Sequence, residues 1–228
     1  MDFMTPQIWL QVGPLGITDT VFVSAALTLF LLVGGRLAVR VAWARETLEV
    51  IYEMVESMLQ DMVTIDVTPL VPLILTQWLF ILSANLVGLL PIVSSPTRDL
   101  SLTAALAVIA FGAAHVYGYR AHGMAYLRTY VQPNPIMLPF NIIGELSRTL
   151  ALALRLFGNM VSGEIIGGII VSLAGLLLPV PLMLLDVLTS VVQAYIFGML
   201  TLVFTASAMQ VVATKKPVTP QPSPGGSP

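Results

Sequence analysis

Five charged side chains interrupt two long apolar stretches in the C-terminal half of the chain. They are Glu145, Arg148, Arg155 and Glu164 in the stretch 136–180, and Asp186 in the stretch 182–212. A charge at the centre of a bilayer costs about 2.5 to 3.5 kcal/mol on insertion scales, so such residues mark ion paths or buried pairs. Asn159 and Gln193 add hydrogen-bonding amides to the same stretches. We therefore take ion or proton movement as the first functional hypothesis.

Helical spacing divides these residues into groups. At about 100° per residue, Arg148, Arg155 and Asn159 fall on one helix face. Glu164, nine residues after Arg155, points to the opposite side, so a simple ion pair between those two is not expected. Glu145 lies three residues before Arg148, which predicts a local salt bridge. For Arg155, a role in an ion path and a buried pairing that only stabilises the helix bundle both stay open.

The last apolar stretch carries a second polar stripe. Asp186, Ser190 and Gln193 are spaced by four and three residues and therefore share one helix face. Unpaired carboxylates in a dry interior would have to be protonated, so we expect Glu164 and Asp186 to line water. Gln193 is compatible with a polar path or with a hydrogen bond between helices.

The composition indicates that membrane helices hold these groups. Of 228 residues, 57% are hydrophobic, with 10 Lys and Arg against 12 Asp and Glu. In soluble domains about a quarter of the residues are charged. A helix needs about 20 consecutive apolar residues to cross a bilayer. The sequence predicts an all-α polytopic membrane protein with about five crossing helices. The first three crossings are predicted at about 17–37, 70–90 and 100–119.

Residues 41–66 form a different pattern. Their apolar residues recur at three- and four-residue steps, and glutamates fill the opposite face. This predicts one amphipathic cytoplasmic helix, packed on membrane helices or on a basic partner. Its acidic face argues against binding to anionic lipid headgroups.

The remaining elements are longer. As one helix, the stretch 136–180 would measure about 65 Å, twice the bilayer core, so it either breaks into two segments or lies strongly tilted. Pro179 and Pro181 are predicted to mark a turn before the last apolar element. Residues 217–228, with five prolines and two glycines, are predicted to be a disordered tail on a single membrane domain, 1–216.

The basic residues predict an orientation. Positive residues collect on the cytoplasmic side of membrane proteins. Five crossings with the N-terminus outside and the C-terminus in the cytoplasm leave only Arg98 outside. The cytoplasmic set is then Arg36, Arg40, Arg45, Arg120, Arg128, Lys215 and Lys216.

Several chemistries are excluded by what the sequence lacks. There is no Cys and there are only two His, so we expect no cofactor and no metal site. No basic run is present, which argues against nucleic-acid binding. No phosphate-binding motif of the GxxxxGK[ST] type occurs, so any ATP chemistry must reside in a partner.

Two motifs resemble a known family. The run RLFGN at 155–159, with Gly163 and Glu164 after it, and the run VVQAYIFGMLT around Gln193 are similar to subunit a of F-type ATP synthases. Weaker matches are ANLVGLLP at 84–91 and AHGMAYL at 121–127. The resemblance covers about residues 75–212.

The resemblance implies an architecture and residue roles. The last two long helices would form a strongly tilted hairpin that faces a c-ring. Arg155 matches the arginine that faces the ring carboxylate, and Gln193 matches the glutamine near it. Asn159 and Glu164 match polar positions of an aqueous half-channel. Asp186 falls where the family often has His or Glu, so the proton-relay pattern differs at this position.

The resemblance also implies a function and partners. The chain would be a non-catalytic stator subunit that couples H⁺ or Na⁺ translocation to ring rotation in a bacterial inner membrane. Its partners would be c-ring subunits, b-type peripheral stalk subunits, a soluble nucleotide-binding head and membrane lipid. The Arg148 position and the proline-rich tail favour the branch of alternate bacterial ATPases. The alternative reading is a secondary transporter or permease with buried charged residues.

Overall fold

The computed structural model describes residues 8–12, 15–88, 95–131, 134, 136–174 and 179–210. Its elements begin with a hairpin of two strands, β1 (Ile8–Val12) and β2 (Leu15–Thr18). Seven helices follow, which are α1 (Asp19–Arg40), α2 (Ala42–Gln60), α3 (Val71–Val87), α4 (Leu100–His122), α5 (Met124–Val131), α6 (Met137–Ala174) and α7 (Pro179–Gln210). A short 3-10 turn, Pro96–Arg98, precedes α4. The predicted disordered tail lies outside the described residues.

The predicted helical membrane architecture is confirmed. The helices α1, α4, α6 and α7 are long and apolar enough to cross a membrane, and the apolar α3 is shorter at 17 residues. Together they account for the five predicted crossings. The antiparallel hairpin β1–β2 is an addition that the sequence reasoning missed. Its Ile, Trp and Val residues are types that favour strands.

The helix α2 confirms the predicted amphipathic element but ends earlier than expected. It stops at Gln60, and turns occupy residues 61–70. The carboxylate of Asp66 accepts a hydrogen bond from the backbone N–H of Thr68 at 3.0 Å, a local bond that competes with helix continuation. Val55 and Leu59 are buried on the inner face of α2, whereas Trp43 is 74% exposed.

The length of α6 distinguishes between the two alternatives for residues 136–180, a break into two segments or a strong tilt. It runs for 38 residues without interruption, about 57 Å at 1.5 Å per residue. A break into two segments is therefore wrong within 137–174, and strong inclination is the arrangement that fits a core of about 30 Å. The prediction of a turn at Pro179 and Pro181 is also wrong. Both residues lie in the first turn of α7, where a missing backbone N–H costs nothing.

The core is centred on α7. This helix packs against α3 and α4, and α4 also packs against α6. One buried cluster joins all four helices through Ile81, Ala107, Leu156 and Phe197. Close approach is needed at Gly198, because a Cβ there would overlap the indole of Trp78. The four helices thus form one packed unit that holds the polar residues of α6 and α7.

Asp99 ties two helices together at the start of α4. Its carboxylate caps α4 by accepting hydrogen bonds from Ser101 N at 2.8 Å and Ser101 Oγ at 2.7 Å. It also accepts a bond at 2.9 Å from Thr20 Oγ1 at the start of α1. Burial acts to raise the pKa of Asp99, but these hydrogen bonds and the charge of Arg98 outweigh it and lower the pKa below its ordinary value.

Candidate functional site

Arg155 lies midway along α6 and is exposed. Its neighbours Leu152 and Leu156 are buried in the core, so the exposed arginine lies at the edge of the packed face of α6. Leu150 and Leu154 on the same part of α6 are also exposed. Among the described residues, no carboxylate forms an ion pair with Arg155. A permanent cation on an apolar helix needs water or an opposite charge near it.

Gln193 lies midway along α7 at the same level as Arg155. The contacts between α6 and α7 run in opposite sequence directions. Gly163 meets Asp186. Farther from the connection, Leu156, seven residues before Gly163, shares a buried cluster with Ala194, eight residues after Asp186. This register brings the α6 turn that contains Arg155 opposite the α7 turn that contains Gln193.

The amide of Gln193 is turned inward. Its residue is 7% exposed, and its Nε2 has no hydrogen-bond partner among the described residues. An unpaired buried amide costs about 1 to 3 kcal/mol. The position therefore favours occupation by water or by a polar group from a partner.

The predicted stripe on α7 faces the bundle. Ser190 and Gln193 are buried, and Asp186 is half-buried. The stripe extends for about 10 Å along α7. The three residues therefore lie on one face of α7, as their four- and three-residue spacing predicts, and form a polar line along an otherwise apolar helix.

Asp186 touches α6 at a glycine. A Cβ on Gly163 would lie 3.1 Å from the Oδ1 atom of Asp186, so a larger residue would crowd the carboxylate. Asn159, one turn earlier on α6, is half-buried. Glu164 follows Gly163 directly, and the structure describes its backbone within α6. The tertiary structure therefore brings Asp186 beside the α6 segment that contains Asn159 and Glu164.

Arg148 differs from Arg155 although both are on one face of α6. Its Nη1 lies 3.5 Å from Glu145 Oε1, which confirms the predicted salt bridge. Its guanidinium carbon also lies 4.6 Å from the ring centre of Phe204 on α7. Arg148 is thus neutralised and held locally.

Two buried amides on α3 were missed by the sequence reasoning. Gln77 is 4% exposed, and both of its amide atoms lack a partner among the described residues. Asn85 is fully buried, and its Oδ1 accepts a hydrogen bond from Thr97 Oγ1 at 2.8 Å. Two amides in an apolar span were visible in the sequence, but their spacing alone does not predict that both side chains face the core.

Histidines and acidic residues do not form a metal site within the described part of the chain, where no group of three candidate ligands occurs. His115 instead packs against the rings of Phe111, Tyr126 and Tyr130. His122 Nε2 is hydrogen-bonded to the carbonyl of Met209 at the end of α7. Both histidines therefore hold helices together.

The fold and this site define a multi-pass membrane protein with an exposed arginine midway along a long apolar helix and a line of polar residues on the neighbouring helix. Within the described part of the chain, this arginine has no ion-pair partner. The sequence pattern of the ATP synthase A chain family matches residues 18–206. The chain belongs to this family, that of ATP synthase subunit a.

Individual relatives agree over nearly the whole chain. The ATP synthase subunit a 1 of Hahella chejuensis is 44% identical over 223 residues, which is 96% of this chain and 95% of the relative. The ATP synthase subunit a 2 of Pelobacter propionicus is 41% identical, with 93% and 96% covered. The ATP synthase subunit a 2 of a Bradyrhizobium strain is 42% identical, with 92% and 97% covered.

Proposed function

We propose that this chain is the stator ion-channel subunit of a rotary F-type ATP synthase. In this role it provides two aqueous half-channels and an essential arginine, Arg155, which couple translocation of protons or sodium ions to rotation of a c-ring. The observation that carries the proposal is the exposed Arg155 midway along an apolar helix, for which the described residues provide no ion-pair partner. Family membership supports a place in the membrane sector of the synthase.

The chemistry of arginine suits this position. A guanidinium does not deprotonate in proteins, so it stabilises an ionised ring carboxylate without passing a proton from one half-channel to the other. A ring carboxylate that arrives from lipid is neutral, because desolvation raises its pKa. It releases its ion when it meets water and the charge of Arg155. Arg155 thereby both attracts the ring carboxylate and separates the two half-channels.

The outer half-channel would follow the polar residues between the midpoint of the hairpin and its connected end. Asn159 and Glu164 on α6, with Asp186 on α7, would line it, and Gln193 would stand beside Arg155. The contact between Asp186 and Gly163 supports this arrangement. Ser190, which is buried between Asp186 and Gln193, would continue the polar line. The Glu145–Arg148 pair would serve as a structural element.

The proposal includes an assembly and an orientation. The chain would be non-catalytic and would work with c-ring subunits, b-type peripheral stalk subunits and a soluble nucleotide-binding head. It would cross a bacterial inner membrane with its N-terminus outside and its C-terminus in the cytoplasm. The distribution of Lys and Arg supports that orientation.

Co-purification from the native membrane tests the proposal against the transporter alternative. An affinity tag on this chain should recover small hairpin subunits of a ring and a nucleotide-binding head, and the isolated complex should show ATP-driven ion uptake in vesicles. A chain that purifies alone and catalyses substrate transport without ATP hydrolysis would refute the proposal.

A further inference from the structure

A cavity of about 420 Å³ lies where α4 ends, α6 begins and α7 ends. Under the proposed orientation this end of the bundle faces the cytoplasm. The cavity has aromatic walls and one ion pair, and residues that line it include Tyr130, Phe140, Asn141, Glu145, Arg148 and Phe204. Its size is in the range of small-molecule sites.

Hydrogen bonds hold the aromatic wall in place. His115 Nδ1 lies 3.0 Å from the carbonyl oxygen of Phe111, which can only accept, so Nδ1 is the donor in this hydrogen bond. The hydroxyl of Tyr130 is hydrogen-bonded to His115 Nε2 at 3.4 Å and to the hydroxyl of Tyr126 at 2.8 Å. Burial raises the pKa of Tyr130, so its hydroxyl stays protonated. The wall is therefore preformed.

A further bond fixes the wall to α6. Asn141 Nδ2 donates to the carbonyl of Tyr130 at 3.0 Å. The amide thus connects α5 to the first turns of α6, the helix that carries the ion pair. As a result, the Glu145–Arg148 pair and the aromatic wall are held in a fixed position relative to each other.

The ion pair presents both signs of charge to the cavity. The side chain of Arg148 is 46% exposed and that of Glu145 is 27% exposed. Phe204 covers the face of the guanidinium, which leaves edge N–H groups for a second acceptor. A purely anionic ligand would be attracted by Arg148 but repelled by Glu145. A ligand that carries a phosphate and, a few ångströms away, an ammonium group satisfies both.

The surroundings indicate that such a ligand is a lipid. Met137 and Phe140 line the cavity and are 44% and 70% exposed, so they provide an apolar surface for acyl chains. Cytoplasmic-side pockets between membrane helices are known sites for lipid headgroups. A quaternary choline head could not donate hydrogen bonds to Glu145, whereas a primary ammonium can.

We propose that this cavity binds the headgroup of an aminophospholipid, phosphatidylethanolamine, with its phosphate on Arg148 and its ammonium on Glu145. The aromatic wall would contact the ammonium, since rings attract cations. The site is separate from the Arg155 level, because Arg148 is two helical turns away.

The purified complex in phosphatidylcholine nanodiscs tests this proposal. Small fractions of phosphatidylethanolamine or phosphatidylglycerol are added, and bound lipid is measured by native mass spectrometry. We expect the wild type to prefer phosphatidylethanolamine. Arg148→Gln should weaken its binding about tenfold or more, because a charge-assisted hydrogen bond to phosphate is lost. Glu145→Gln should remove the preference over phosphatidylglycerol.

Arg45→Gln is the matched control. Arg45 pairs with Glu49 on α2 at the same 3.5 Å separation, and that pair is exposed, so this variant should bind lipid as the wild type does. Ser207→Phe fills the cavity from α7 without changing the ion pair, and it should also abolish preferential binding. This second variant keeps the test valid if Arg148→Gln fails to assemble.

Two results would overturn the proposal. The first is equal retention of phosphatidylethanolamine by the wild type and by assembled Arg148→Gln and Ser207→Phe complexes. The second is competition by water-soluble phosphoethanolamine as effective as that by the lipid, because the ligand would then be a soluble phosphate compound. Neither result depends on ion pumping, so the proposed function is tested separately.

Discussion

Replacement of Arg155 by Ala is the most informative perturbation of this chain. Arg155 lies midway along a helix of 38 residues, roughly 28 Å from either helix end. Even when α6 is inclined to fit a hydrocarbon core of about 30 Å, its midpoint lies about 15 Å from either surface, which is farther than an arginine side chain reaches. Its charge therefore needs water or an opposing carboxylate, and the described residues contain no ion-pair partner for it.

The size of the effect follows from electrostatics. Two unit charges about 4 Å apart in an effective dielectric of about 20 attract each other by roughly 4 kcal/mol. This corresponds to about three pKa units on the ring carboxylate. Without Arg155 the ionised fraction of that carboxylate at neutral pH falls about a thousandfold, and the electrostatic separation of the two half-channels is lost.

The assay is ATP-driven ion uptake in inverted membrane vesicles, followed by passive flux after removal of the soluble head. We expect Arg155→Ala to abolish coupled uptake and to open a passive leak. Arg148→Ala is the matched control, because it removes an arginine from the same helix face that is already paired with Glu145. Robust coupled uptake by Arg155→Ala, or an equal loss in Arg148→Ala, would refute the reasoning.

Three further predictions follow from the described contacts. Glu164→Leu and Asp186→Leu should each slow ion flux in vesicles while the complex still assembles, because polar lining is lost; wild-type flux in both would show a structural role. Gly198→Ala should destabilise the bundle by about 1 to 3 kcal/mol through overlap with Trp78, measured as a lower melting temperature in detergent. The double variant Gly198→Ala/Trp78→Leu should regain part of the lost melting temperature. A double variant as unstable as Gly198→Ala alone would contradict an overlap with Trp78 as the cause. The pKa of Asp99 is lowered in the folded chain, so its carboxylate contributes stability above about pH 4 that is lost as the pH falls through the folded pKa. Thermal unfolding between pH 6 and 3 should therefore show a smaller acid-induced loss for Asp99→Asn than for the wild type, and equal losses would refute this contribution.

Local patterns of the sequence determined most of the helical framework. The apolar runs located the five crossings, because a membrane helix needs a continuous stretch of about 20 apolar residues. The three-residue spacing of Glu145 and Arg148 predicted their salt bridge, since neighbours on one helix turn meet whatever the rest of the fold does. The stripe from Asp186 to Gln193 was predicted for the same reason. The boundaries were less accurate at Pro179 and Pro181, where proline is compatible with both a turn and a helix start.

Contacts between elements distant in sequence were decided by the tertiary structure alone. The relative axial position of α6 and α7 determines which of their residues meet. It brings Gly163 beside Asp186 and places Arg155 at the level of Gln193. Periodicity assigns a residue to a helix face but does not set this register. The same limit applies to Gln77, whose burial depends on the helices packed around α3. It also applies to the cavity beside Arg148, which residues of α4, α5, α6 and α7 line. The order of residues alone shows which charges lie inside apolar helices. Packing places Arg148 against Phe204 and leaves Arg155 exposed, with no ion-pair partner among the described residues, because the position of α7 beside α6 is set by contacts distant in sequence.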